Sequence, residues 1–484
     1  MKYDYMRKER VRPPKFSERK LRRVHLIGIG GSGMTALANL FLDNEYFLSG
    51  SDKNNFPARK ALEKKGAKIY IGHQANNIKN PQAVIYSAAI PKSNIELLQA
   101  RKKHIPLLNR FNCLLGLLDG KKIIGVAGTH GKSTTTAMIA HILKRSGLEP
   151  TVYLGAKSKI YPLGSKWGKG EYAVIETDEH DKSFLKTPAF ISLVTNVDND
   201  HLSAGGPYQT KFSLLKKAFQ NFVEQTYSDF VVLNNDDDFL RKVGAKSKKN
   251  ILSFGIDKKA DLTVKNINYQ GKNTNADLFF KGEYQGKLNL SVPEKENIYN
   301  ALGAICASHL IGVSFKDCLR HLKNFSGVKR RFSVIYNKRI AVVDDYAHHP
   351  TEIKTTLKMA RRVFPKRRVI LVLEPHRYSR VSFLYKDYAP ALRNCDALFL
   401  LPIDPANEKP IPGVTSEKIY RQILKTGFFK KDDLHLTKSQ EELFENLSLF
   451  FKKGDVIIFA GPGKIANLPH QFINFLKRKN AKEI

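Results

Sequence analysis

The chain has 484 residues, 42% hydrophobic and 10% aromatic, which is ample for buried cores and too long for a single one, so two to four domains are expected. No run of about 18 apolar residues occurs and no apolar stretch follows the basic first residues, which excludes a predicted membrane span and a secretory signal. The net charge of +36 is spread along the whole chain without a nucleic-acid module, so it reads as a solvated basic surface, with a nucleic-acid partner disfavoured.

Residues 1–22 read as a charged arm containing Pro13 and Pro14. At Val24 the text changes. VHLIGIG is a short apolar strand entering a glycine loop, and MTALANLFLD continues with helical spacing. YFLSGSD, AKIYIG and AVIYSAA are further strands, with RKALEKKG as an amphipathic helix, and this alternation predicts a parallel α/β unit over 23–119. A second unit over 120–332 opens on KKIIGVAGTHGKSTTT, again strand, glycine loop and helix. It continues through YAVIETDE, FISLVTNVD and DFVVLNNDD. From about 250 to 292 alternating segments such as ADLTVKNINY and KLNLSV predict a small antiparallel sheet. The third unit, 333–484, has RIAVVDDYAHHP, RRVILVLEPHRYSR, CDALFLLPID and GDVIIFAGPGKI, each an apolar strand running into a polar loop. The expected fold class is therefore α/β in three domains: a Rossmann-like first unit, a phosphate-loop unit with a mostly parallel sheet, and a Rossmann-like third unit. Cys113, Cys306, Cys318 and Cys395 lie scattered without metal-ligand spacing, which suits a reducing, cytoplasmic location.

Two phosphate loops carry the chemistry. Gly28, Gly30, Gly31, Ser32 and Gly33 lie between a strand and a helix, where backbone amides and the helix dipole favour a diphosphate. Asp52, about twenty residues on, is placed to meet a ribose hydroxyl. Alone this pattern points to NAD or FAD. The second loop, Gly128-Thr129-His130-Gly131-Lys132-Ser133, departs from the strict Walker spacing because Val126 stands where a glycine is usual. Its Lys132 is nevertheless placed to reach β- and γ-phosphates, and Ser133 to ligate Mg²⁺. Glu176 and His201, each following an apolar strand, could complete an Mg²⁺ shell beside that loop. The loops Asp344-Asp345-Tyr346-Ala347-His348-His349 and Glu374-Pro375-His376-Arg377-Tyr378-Ser379-Arg380 combine histidines and forked guanidinium groups, a set suited to carboxylates and phosphates. Lys329, Arg330 and Arg331 form a basic hinge from which an arginine could reach a transferring phosphate. Two different phosphate loops point to one nucleotide as substrate carrier and another as energy source.

At this point the chain resembles the Mur ligase family, over nearly its whole length from about residue 22, through HLIGIGGSGM, GSD, SAAI, AGTHGKSTTT, ETDEHDKSF, TNVDNDHL, FSGVKRRF, DDYAHHPTEI and EPHRYSR. The resemblance implies an ATP-dependent ligase whose 28–33 loop and Asp52 hold the UDP part of UDP-N-acetylmuramate. It implies that residues 128–134, ending in Thr134, bind ATP, that Asn297 and Asn300 lie at the adenine end, and that Arg331 and Asp345 contact ATP from the domain interface. Ser133 would hold one Mg²⁺ and Glu176 with His201 a second. Tyr346, His348, His376, Arg377 and Arg380 would receive the amino acid and the muramoyl carboxylate. PHRYSR in the third unit favours L-alanine as acceptor over a muramyl tripeptide. His348 or His376 would assist amine deprotonation. Glu296 and His180 depart from the family's usual histidine and serine, and SAGGPYQT after His201 is atypical. A sibling ligase, a basic nucleic-acid-associated phosphate-loop protein and, last, an oxidoreductase remain the rival readings, and oligomeric state has no signal in the sequence.

Overall fold

The computed structural model describes residues 21–155, 161–179, 182–198, 208, 211–228, 230–271, 273–292, 294–327, 330–406 and 408–479. Three sheets organise them. The first is all parallel and has five strands, in the spatial order Lys68–Ile71, Phe47–Asp52, Arg23–Ile27, Ala83–Tyr86, Leu107–Asn109. Chain direction across the sheet reverses between Arg23–Ile27 and Ala83–Tyr86, the switch point at which open α/β sheets bind ligands. The helix Ser32–Asp43 begins at that point. Its sequence is apolar or small on nearly all sides, so it is buried on nearly all sides.

The second sheet has ten strands. At its centre Lys122–Ala127 pairs in parallel with Tyr172–Glu176 on one side and Ala189–Val194 on the other. Of the small antiparallel sheet expected from about 250 to 292, the first strand departs: Asn250–Gly255 is parallel to both of its neighbours, Phe230–Asn234 and Leu262–Gln270. Asn273–Phe280 and Glu283–Leu290 then extend the same sheet antiparallel. The alternation in those segments reports one covered face: Leu278, Leu288 and Leu290 join a core cluster that also takes residues of the helices Lys295–His309 and Phe315–Leu322, the latter packed on Glu283–Leu290.

In the third sheet Ala341–Asp345, Val456–Ala460, Val369–Leu373, Ala397–Leu400 and Leu434–Leu436 are parallel, and Ser333–Asn337 adds an antiparallel edge. No helix among the described residues is long and apolar enough to cross a membrane.

The two joints between units differ in kind. Between the first and second, Leu37, Leu40 and Phe41 share one apolar cluster with Ile123, Tyr153, Ala173 and Ile175. Asn39 Nδ2 donates to the Ser165 carbonyl at 3.0 Å, and Ser165 Oγ donates to the Ala36 carbonyl at 2.7 Å. The second and third units meet instead through polar groups, including Arg362, which donates to Glu294 at 2.9 Å and lies 4.1 Å over the Tyr269 ring. A continuous apolar seam makes one body of the first two units, whereas a polar seam allows the third to move.

A buried polar knot braces the first sheet. The fully buried Glu96 accepts from Ser51 and Asn77 and sits 3.1 Å from His73 Nδ1 and 3.8 Å from His25 Nε2. Burial alone would raise its pKa, but the nearby His25 imidazole and hydrogen bonds from Ser51 and Asn77 hold it down to about 2, against 4.5 for a free glutamate. A depressed carboxylate stabilises above its unfolded pKa and loses that contribution as pH falls through the folded value. Glu96→Gln is therefore expected to cost about 3 kcal/mol at pH 7. The gap to the parent in thermal midpoint should close as pH drops from 4.5 towards 2. A gap constant across that window would show that the charge of Glu96 is not what stabilises.

Candidate active site

The phosphate loop leaves Lys122–Ala127 and enters the helix Lys132–Arg145 through two glycines in left-handed conformations, Gly128 at φ +138 and Gly131 at φ +83. The end of the neighbouring strand cradles it. Thr129 N donates to the Asn196 carbonyl at 3.0 Å and His130 N to Asn196 Oδ1 at 2.8 Å, while Thr195 Oγ1 donates to the His130 carbonyl at 2.6 Å. Lys132 Nζ donates to the carbonyls of Gly128 at 2.6 Å and Thr129 at 3.1 Å, and lies 3.0 Å from Glu179 Oε2. Burial pushes Glu179 up to about 7 against the pull of Lys132. Burial also opposes the charge of Lys132, but Glu179, Asp178 and Glu176 outweigh it and keep the ammonium protonated. Ser133 Oγ donates to Glu176 Oε2 at 2.7 Å, and that oxygen also accepts from Gly155 N at 2.7 Å.

These groups face a cavity of about 490 Å³ whose walls come from two units. From the second come residues 129–134, Glu176, Asn297 and Asn300, from its closing linker Arg331 and Phe332, and from the third Asp345, Glu352, Thr355, Thr356 and Met359. Asn300 packs on the loop itself: its Oδ1 accepts from Thr135 Oγ1 at 3.1 Å and lies 2.3 Å from where a Cβ on Gly131 would stand. Asn297 and Glu296 line the cavity one helical turn before Asn300, next to Tyr299, whose hydroxyl donates to Asp236 at 2.7 Å. Asp345 accepts from Phe332 N at 2.6 Å and Ala347 N at 2.7 Å, and burial lifts it to about 6 against the pull of Arg331.

The histidine and arginine loops of the third unit adjoin this cavity through Glu352. Its carboxylate accepts from His348 N at 3.1 Å and lies 3.5 Å from Arg331 Nη1. Burial works to raise it, yet His348, Arg331 and His130 hold it well below the usual carboxylate range. His348 Nδ1 is 2.9 Å from the Tyr346 carbonyl, which only a protonated nitrogen can approach favourably, so the neutral ring carries its lone pair on Nε2. The rings of His348 and His376 lie 5.5 Å apart. His376 Nδ1 is 3.3 Å from Arg380 Nη1, and since a guanidinium only donates, that nitrogen is the acceptor. Burial, then the charges of His348, Arg380 and Arg377, pull His376 down to about 3. Arg377, at φ +70, caps the helix Tyr378–Leu384. Tyr346 stacks under Arg330 and Arg331 at 5.4 and 5.5 Å.

A second cleft, of about 460 Å³, lies at the switch point of the first sheet, lined by residues 31–34, 87–89 and 109–111 together with Ser183 and Lys186 of the second unit. Gly33 lets the guanidinium of Arg110 lie against the loop: a Cβ there would stand 1.8 Å from Arg110 Nη1 and displace it. Asp52 is turned towards the loop, accepting from Gly30 N at 2.8 Å. Of the metal candidates, Ser133 and Glu176 are brought together, and His201 lies outside the described residues. Sequence reasoning missed Glu179, Glu352, Arg110 and Lys186. Glu179 had a signal, since it lies in the same acidic string as Glu176.

Family comparison agrees with this architecture unit by unit. The model described as Mur ligase family, catalytic domain matches residues 23–122; Mur ligase middle domain matches 126–308; and Mur ligase, glutamate ligase domain matches 330–463. The chain belongs to the Mur ligase family. The UDP-N-acetylmuramate–L-alanine ligase of Aquifex aeolicus is 37% identical over 456 residues, 94% of this chain and 98% of that one. Its namesake in Dictyoglomus turgidum is 39% identical over 448 residues, 92% and 95% of the two chains. Among solved structures, the UDP-N-acetylmuramate-alanine ligase of Thermotoga maritima superposes with TM-score 0.81 at 28% identity, covering 95% of this chain and 100% of that one. A murein peptide ligase from Psychrobacter arcticus shares the fold, with TM-score 0.72 at 24% identity over 94% and 98% of the two chains.

Proposed function

We propose that this chain is an ATP-dependent ligase that joins L-alanine to the carboxylate of UDP-N-acetylmuramate in peptidoglycan precursor synthesis, acting in the cytoplasm. The carrying observation is the cavity that sets Lys132, Ser133 and Glu176 of the second unit against Arg331 of the linker and Asp345 of the third. Relatives named for this reaction match end to end and support the choice of substrates.

A carboxylate acylates poorly because its leaving group is poor and its charge repels nucleophiles. In the proposed reaction a carboxylate oxygen of the muramoyl group attacks the γ-phosphorus of ATP, and ADP leaves. The amine of alanine then attacks the acyl phosphate, phosphate departs, and the amide remains. Lys132 and Arg331 offset the negative charge that gathers in the first step. Ser133 and Glu176 are hard oxygen donors at the mouth of the phosphate loop, a set that fits Mg²⁺. When bound, Mg²⁺ would neutralise phosphate charge. His348 is the better base for the alanine ammonium: its lone pair is on Nε2, whereas His376 is too weak a base and its Nδ1 accepts from Arg380. Tyr346, Arg377 and Arg380 flank these histidines and would hold the carboxylate of alanine.

The UDP part would lie in the 460 Å³ cleft, its diphosphate on residues 30–33 with Arg110 and Lys186 as counter-charges. Gly31 tests this. A Cβ there would meet only the Gly28 carbonyl, at 3.6 Å, so the protein itself tolerates a methyl group. Gly31→Ala is expected to leave the thermal midpoint unchanged while raising KM for the UDP-substrate about tenfold or more, by keeping the phosphates off the backbone amides. An unchanged KM would remove the loop from the substrate site.

Acceptor identity is tested by mass spectrometry after incubation with Mg-ATP, UDP-N-acetylmuramate and an equimolar mixture of L-alanine, glycine, L-serine and muramyl tripeptide. UDP-N-acetylmuramoyl-L-alanine as the main product is expected. A tripeptide adduct would move the chain to a sibling activity.

A further inference from the structure

Arg331 reaches the nucleotide cavity from a linker whose backbone is unusual on both sides of it: Arg330 has φ +61 and Phe332 φ +48. Residues with side chains enter the left-handed region at a cost and stay there only where their surroundings hold them. Here both neighbours are held by the third unit. Phe332 N donates to Asp345 Oδ2 at 2.6 Å. Arg330 is gripped more thoroughly. Its Nε donates to both oxygens of Asp344, at 3.1 and 3.3 Å, its Nη2 to the Gly461 carbonyl, and its Nη1 to the Pro462 carbonyl at 3.4 Å. Its backbone is fixed as well, N to Ser333 Oγ at 2.9 Å and the carbonyl accepting from Tyr346 N at 2.8 Å.

Asp344 and Gly461 stand at the ends of two paired interior strands of the third sheet, Ala341–Asp345 and Val456–Ala460. Gly461 itself sits at φ +149, and a Cβ there would come within 2.9 Å of the Glu374 carbonyl, so this close-packed turn has no room for a side chain. One planar fork thus joins a carboxylate and two carbonyls, which a lysine, a single point donor, cannot match.

We propose that Arg330 is a positioning residue for phosphoryl transfer: by locking the linker to the strand ends of the third unit, it sets the direction in which Arg331 enters the nucleotide cavity. The linker then travels with the third unit as one piece, and Arg331 arrives at the phosphates with that unit instead of trailing from the second. Arg330 itself turns away from the cavity and touches no substrate in this account. The inference rests on the ligase reading for its assay.

The test is a double-mutant cycle on the full chain with Arg330→Lys, Arg331→Ala and the pair, with kcat, the KM values for all three substrates and thermal midpoints measured for each. Arg331→Ala is expected to lower kcat about 100-fold. Arg330→Lys should lower it about 30-fold, because a displacement of about 1 Å is enough to misplace a charged group. It should leave KM for UDP-N-acetylmuramate unchanged, since that cleft is lined by the first and second units and not by the linker or the third. The pair should be no worse than Arg331→Ala alone, because a misdirected arginine that is already absent cannot be missed twice. Asp344→Asn, which keeps the shape but removes the charge, should reproduce part of the Arg330→Lys defect and serves as the second variant if Arg330→Lys folds poorly. Effects that multiply in the pair, or a kcat untouched by Arg330→Lys, would overturn the proposal. So would a silent Arg331→Ala. A parent protein without ligase activity would instead overturn the reading on which it rests.

Discussion

Lys132→Met is expected to lower kcat for amide formation about 1,000-fold, the largest effect of any single side chain. The ammonium is anchored by the carbonyls of Gly128 and Thr129 and by Glu179, so it waits in place before any nucleotide arrives. Bound phosphates would compete with Glu179 for it, and the fully buried Glu179 can follow the change by taking a proton, since burial already sets it near 7. The same property protects the variant. Without Lys132 the carboxyl neutralises, avoiding the several kcal/mol of an unpaired buried charge. The thermal midpoint should therefore fall little while turnover is lost. Steady-state rates beside a melting curve check both halves; a variant with parental kcat would remove the loop from catalysis.

Gly128→Ala should be nearly as damaging, by a different route. At φ +138 a Cβ is strained whatever the space, and here it would stand 2.0 Å from Thr195 Oγ1 and 3.1 Å from the Asn196 carbonyl oxygen. The strand end that carries those atoms is locked into the centre of the second sheet, so the loop must yield. Its hydrogen bonds from Thr129 N and His130 N to Asn196 would break, and the amides would no longer converge on one point. We expect kcat/KM for ATP to fall about 100-fold and stability by about 2 kcal/mol. KM for UDP-N-acetylmuramate should hold, because its loop lies in another sheet. Titration with ADP, followed by calorimetry, separates lost nucleotide binding from lost turnover. Parental ADP affinity would contradict the cradle described above.

What the sequence made legible was local chemistry repeated at strand ends. Apolar strand, glycine loop and helix, met at Val24 and again at Lys121, are patterns of adjacent residues, and both loops sit at the carboxyl ends of parallel strands in the structure. The pairing of Ser133 with Glu176 was within reach because one opens a recognisable helix and the other ends a recognisable strand. What escaped depends on contacts between distant segments. Met359, Thr355 and Thr356 look like ordinary positions of an amphipathic helix, and only the approach of the third unit makes them cavity wall. Asn300, set at the adenine end by resemblance, also props the phosphate loop through Thr135. In the stretch from Leu262 to Leu290, period-two alternation predicts strands correctly but does not reveal which neighbour they join. A sheet edge is chosen by the partner, here Asn250–Gly255, and not by the alternation itself. Arg330 is the clearest such case: the sequence shows a basic hinge from which some arginine could reach a phosphate, but only the grip of Asp344 and the Gly461 carbonyl tells Arg330 from Arg331.

The most direct measurement of the central claim is phosphate release from Mg-ATP, with ATP, UDP-N-acetylmuramate and L-alanine each omitted in turn. Release that needs all three, at one phosphate per amide formed, is the result predicted here. Release that proceeds without L-alanine and UDP-N-acetylmuramate, or none at all with the complete mixture, would contradict it.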